Sequence, residues 1–132
     1  MSAKGQVEGL VSIACKYSVA ETLARLETLL RAKEVKIFAV VDHSGEAEKA
    51  GFSMRPTKLI IFGNPKAGTP LMLEAPTIAI DLPVRALIWE DAAGQTWLCY
   101  YEPEYLVRRY GLEAQMAANL SGPAALMRAV AA

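Results

Sequence analysis

The chain has 132 residues, with fourteen basic residues against fourteen acidic ones, a formal net charge of zero and 53% hydrophobic content. This balance gives no electrostatic reason to expect nucleic acid or an anionic membrane as partner, and the apolar content excludes a disordered chain. Mean hydropathy is only +0.21, and the longest apolar runs, such as Ile37–Val41 and Leu59–Phe62, suit buried strands rather than a membrane span. Met1-Ser2-Ala3-Lys4-Gly5 has no apolar segment after its lysine, so no secretory signal is expected. Cys15 and Cys99 are far apart and lack metal spacing, which fits free thiols in a reducing cytoplasm. With no repeat or linker, residues 1–132 are expected to form a single domain.

In chain order, alternation over Val7–Ile13 predicts a first strand. Ser18-Val19-Ala20-Glu21 is a capping box, and Val19, Leu23, Leu26 and Leu30 follow at helical spacing. A helix ending near Lys33 is therefore expected, with Glu21–Arg25 and Glu27–Arg31 as exposed pairs. Val35–Val41 is β-branched and apolar, which predicts a central strand, followed by a short helix from Ser44 to Ala50 stopped by Gly51. Lys58–Phe62 predicts a third strand, and Thr69-Pro70 an N-cap with proline at the first helical position. Thr77–Leu82 and Val84–Glu90 read as one strand broken at Pro83. Asp91–Gly94 is a hairpin loop from which Gln95–Tyr101 returns antiparallel. A helix from Pro103 to Tyr110, a break at Gly111 and an alanine-rich helical tail interrupted at Gly122-Pro123 complete the chain.

Polar groups gather where strands are expected to end: Val41-Asp42-His43, Ile61-Phe62-Gly63-Asn64-Pro65-Lys66 and Ile80-Asp81-Leu82-Pro83. His43 is the only histidine, hence the only side chain that ordinarily titrates near neutrality. Either it takes part in ligand contact or proton transfer, or Asp42 and Ser44 simply cap the short helix beside it. Gly63-Asn64-Pro65-Lys66 offers backbone amides and a lysine to an anion, although it lacks the glycine pattern of a P-loop. Asp81, set among Ile78, Ile80, Leu82 and Val84, must be bonded, either to nearby amides or in a pocket with His43. Tyr101 at a strand end is the aromatic expected in that pocket. One histidine and scattered carboxylates show no metal-ligand spacing, and no cofactor is expected.

The spacing of these motifs, with Ser18–Thr22 before them and Tyr100-Tyr101-Glu102-Pro103 after, resembles the DUF302 family. The element order itself gives an α+β two-layer domain. The resemblance implies a TBP-like arrangement: a mainly antiparallel sheet with helices packed on one face, usually paired as homodimers. Lys33-Glu34 stands where that family more often turns through glycine. The resulting expectation is a soluble domain that binds a small, anionic ligand through His43, Asn64, Lys66, Asp81 and Tyr101. The alternatives are an enzyme that uses His43 for proton transfer and a structural or protein-interaction module.

Overall fold

The computed structural model describes residues 6–132; the signal-peptide reading of residues 1–5 lies outside them. The strands are β1 (Leu10–Cys15), β2 (Lys36–Asp42), β3 (Thr57–Gly63), β4 (Val84–Glu90) and β5 (Thr96–Tyr101). The helices are α1 (Val19–Ala32), α2 (His43–Lys49), α3 (Pro65–Glu74), α4 (Pro103–Arg109) and α5 (Ala118–Ala131). One five-stranded sheet runs in the order β1-β5-β4-β3-β2, and every neighbouring pair is antiparallel. The domain is therefore α+β.

Alternation along the strands decides which face is covered. Ile60, Phe62, Ala86, Ile88, Leu98 and Tyr100 point to one side, where they form a single buried cluster with Leu23, Leu26 and Leu30 of α1 and Met127 and Val130 of α5. Leu26 and Leu30 are wholly buried, and each such side chain removed from water contributes about 1.5–3 kcal/mol. A second cluster, including Leu71, Ile78, Leu82, Leu106 and Leu120, joins α3, α4 and α5 beside the sheet. The alternate residues Leu59, Ile61, Leu87, Trp89 and Trp97 are half-buried and belong to neither cluster.

The first helix forms as expected: the Ser18 hydroxyl accepts from the Glu21 amide at 3.1 Å. It ends in a Schellman arrangement, with the Val35 amide donating to Leu30 O and the Glu34 amide to Arg31 O. That geometry forces Glu34 to φ +57°. Of the two exposed pairs, Glu27–Arg31 forms at 3.6 Å. Arg25 instead lies 4.2 Å over the Tyr17 ring and donates to Val130 O.

Several expectations are corrected. The first strand starts at Leu10, not Val7, because residues 8 and 9 turn, with Gly9 at φ +77°. β2 lies at the sheet edge rather than its centre and carries a bulge between Ile37 and Ala39. Asn64, not Thr69, caps α3, and Pro65 takes the first position while Pro70 falls inside the helix. Thr77–Leu82 is not a strand: Pro76–Ile80 form a 3-10 turn that buries Ile78 and leaves Ile80 exposed. Gly122-Pro123 does not interrupt α5.

Candidate functional site

Antiparallel pairing separates the expected site residues. Asp42 pairs with Lys58, whereas Gly63 lies opposite Lys36. At roughly 3.3 Å per residue, the end of β2 and the end of β3 stand about 17 Å apart along the ladder. His43, the exposed first residue of α2, is therefore at the opposite end of the sheet from Asn64, and its grouping with the other residues is corrected. Around it the chemistry is capping. Asp42 Oδ1 accepts from the Gly45 amide at 2.9 Å and from the Ser44 hydroxyl at 2.8 Å, and the Thr57 amide donates to Ser44 Oγ. These bonds, the Gly45 amide first, hold the Asp42 carboxyl below its ordinary value.

At the other end, β3 finishes, β4 begins and a groove of about 650 Å³ opens. Gly63, Asn64 and Pro65 form one wall, Ala67, Gly68, Thr69 and Met72 of α3 another, and Ala118, Asn119 and Gly122 of α5 a third. Val35 and Phe38 close the side toward β2, with Lys33 at its margin. Phe38 reaches there because the bulge frees it from strict alternation. Small residues facing each other on α3 and α5 keep the space open; a Cβ added at Gly122 would meet nothing within 4 Å. The volume falls within the range of small-molecule sites, which are mostly apolar with a few placed polar groups. The polar groups here are Asn64, Thr69 and Asn119. Asn119 Nδ2 donates to Ala67 O at 3.0 Å, tying α5 to α3 across the groove.

Of the expected residues, only Asn64 lines this groove. Its Oδ1 accepts from the Lys66 amide at 3.0 Å, so that amide is spent on the cap, and the Lys66 side chain is exposed outside the lining. Asp81 and Tyr101 instead line a second, much smaller cavity of about 20 Å³ between the start of β4 and the end of β5. The two cavities share Val84, Leu120 and Pro123. Asp81 is bonded neither to local amides nor to His43: Oδ2 accepts from the Tyr110 hydroxyl and from Arg109 Nη1 at 3.4 Å. Tyr101 stacks on Tyr105 with ring centroids 5.6 Å apart.

Asn119, Arg85 and Tyr100 were not anticipated. Nothing in the alanine-rich tail singles out Asn119. Arg85 does carry a signal, since a charge inside an apolar strand requires an explanation.

The DUF302 profile, described as a domain of unknown function, matches residues 11–130, so the chain belongs to the DUF302 family. The crystal structure of an uncharacterized conserved DUF302 protein from Bacillus stearothermophilus superimposes with a TM-score of 0.81 at 16% identity, covering 96% of this chain and 100% of that one. At that identity the likeness is one of fold. A protein named fluoride-specific ion channel FluC 1 from Brucella suis is 45% identical over 104 residues, 79% of this chain and 41% of its own length. FluC 1 of Brucella abortus and FluC 2 of Brucella melitensis match at the same identity over 38% of their lengths. The chain thus spans about two-fifths of these relatives.

Proposed function

We propose that this chain is a ligand-binding domain whose ligand is a small, largely apolar molecule seated in the groove between β3, α3 and α5. The observation that carries the reading is the groove itself, about 650 Å³ and bounded by three elements that meet at one end of the sheet. Asn64, Thr69 and Asn119 supply polar contacts within it, and Lys33 at the margin suits a ligand with an anionic end. His43 stands at the far end of the sheet from this groove, so an enzyme that used it for proton transfer would need a separate site.

The relatives favour a particular setting. Among the described residues no helix is long and apolar enough to cross a membrane, so conduction in the fluoride channels is assigned to the part that this chain does not match. The matched part would then be an accessory domain, and its groove a sensor coupled to transport. The free thiols Cys15 and Cys99 support a cytoplasmic location. The half-buried apolar sheet face of Leu59, Ile61, Leu87, Trp89 and Trp97 supports a two-fold homodimer.

Titration with anilinonaphthalene sulfonate, an apolar anion of suitable size, tests the groove. One saturable site is expected in the wild-type protein. Ala118→Trp, which fills the groove from an exposed position, should weaken it by about tenfold or more. Equal binding by wild type and variant, with both proteins unfolding cooperatively, would contradict the assignment.

A further inference from the structure

Two asparagines of the groove are held in a fixed direction by bonds they already make. Asn64 spends Oδ1 on the Lys66 amide at 3.0 Å, so the group it has left is Nδ2, a donor. Asn119 spends Nδ2 on Ala67 O at 3.0 Å, which leaves Oδ1, an acceptor. These backbone partners decide which end of each side-chain amide is nitrogen. Both side chains flank the first turn of α3. Asn64 caps that turn, the Ala67 amide donates to Asn64 O at 2.9 Å, and Ala67 O holds Asn119. Lys33, at the margin, belongs to no ion pair among the described residues. No aspartate or glutamate lines the groove.

This pattern separates two classes of apolar anion. A simple alkyl carboxylate would satisfy Lys33 and the apolar walls at Phe38, Met72, Leu82 and Leu126. It carries only acceptors, however, and offers nothing to Asn119 Oδ1. Asn119 is part-buried, so covering its oxygen without a donor costs affinity. An amide answers both asparagines: its carbonyl accepts from Asn64 Nδ2, and its N–H, which points the opposite way, donates to Asn119 Oδ1. Resting on the groove as the ligand site, we propose that its ligand is an acyl amide bearing a carboxylate, of N-acyl amino acid type. The hydrocarbon tail lies along the apolar walls, the amide sits between Asn64 and Asn119, and the carboxylate faces Lys33. The groove, at about 650 Å³, is of the size that takes such a molecule.

Isothermal titration calorimetry with N-decanoylglycine tests the proposal against its ester isostere, decanoyloxyacetate, in which oxygen replaces the amide N–H and all else is kept. Saturable binding of N-decanoylglycine is expected, with displacement of anilinonaphthalene sulfonate, and the ester should bind about tenfold or more weakly. In Asn119→Ala the preference for amide over ester should fall to near one, whereas a general loosening of the groove would weaken both and keep the ratio. Asn64→Asp retains a good N-cap for α3 but replaces the donor by an acceptor. N-decanoylglycine affinity should then fall about tenfold or more at an unchanged thermal midpoint. Lys33→Met should weaken amide and ester equally. Equal affinity of the wild type for amide and ester would overturn the proposal, as would a preference that persists in Asn119→Ala. The groove itself would survive either result if anilinonaphthalene sulfonate still saturates one site that Ala118→Trp blocks. Binding of neither that probe nor N-decanoylglycine would overturn both readings.

Discussion

Tyr110 donates its hydroxyl to the carboxylate of Asp81, which ties the C-terminal cap of α4 to the residue that ends the 3-10 turn before β4. The contact raises the Tyr110 hydroxyl above its ordinary value of 10.0, the Asp81 hydrogen bond being the main cause. Because the folded value is raised, the contribution is fully present below pH 10 and is lost as pH rises through the folded value. Alkaline titration followed by phenolate absorbance should therefore show Tyr110 ionising late. Tyr110→Phe should remove that late step and lower the thermal midpoint near neutral pH.

Two aspartates act in the opposite direction. Asp91 accepts from Trp97 Nε1 and from the amides of Ala93 and Gln95, each at 2.9 Å, while Asp42 caps α2. Both carboxyls lie below their ordinary value of 3.8, Asp91 chiefly through Trp97 and Asp42 chiefly through Gly45. A depressed folded value contributes stability above the unfolded one and loses it as pH falls through the folded value. Thermal midpoints should thus decline below about pH 3.8. Asp42→Asn, which keeps a good N-cap, should flatten part of that decline while changing neutral stability little.

Glu34 occupies the left-handed region at φ +57°, where a side chain is strained and glycine is not. Glu34→Gly should stabilise the domain by about 0.5–1 kcal/mol, read as a higher denaturant midpoint with an unchanged slope. A decrease would show that Glu34 makes a compensating contact.

The proposed dimer predicts sedimentation at twice the chain mass of 14.3 kDa at micromolar concentration. Leu59→Lys, which places a charge on the half-buried sheet face, should shift the protein to monomer without unfolding it. Monomeric wild type would exclude the dimer.

Local signals made α1 and the β4–β5 hairpin legible, because a capping box followed by helical spacing and a short loop each leave little choice. α3 was displaced because Asn64-Pro65 and Thr69-Pro70 both offer a cap followed by proline, and only the former satisfies the first turn. Thr77–Leu82 alternates like a strand, yet Pro76 starts a 3-10 turn that buries Ile78 alone among its residues. Of the residues expected to share a site, one was placed at the groove. Gly63, Asn64 and Pro65 do line the groove, but His43 could not join them: consecutive antiparallel strands finish at opposite ends of a sheet, and β2 pairs directly with β3. Asp81 reaches the β3 end because the chain returns through α3 before β4 begins. Arg85 was the missed signal, a charge placed between Val84 and Ala86 in an interior strand.

The central claim is that the groove beside Asn64 and Asn119 holds a ligand. Native mass spectrometry of the protein purified without added ligand, before and after denaturation, tests it most directly. The account predicts a non-covalent small-molecule adduct on the folded chain that disappears on denaturation and is absent from Ala118→Trp. The bare chain mass under native conditions, together with crystallographic density showing only water in the groove, would contradict it.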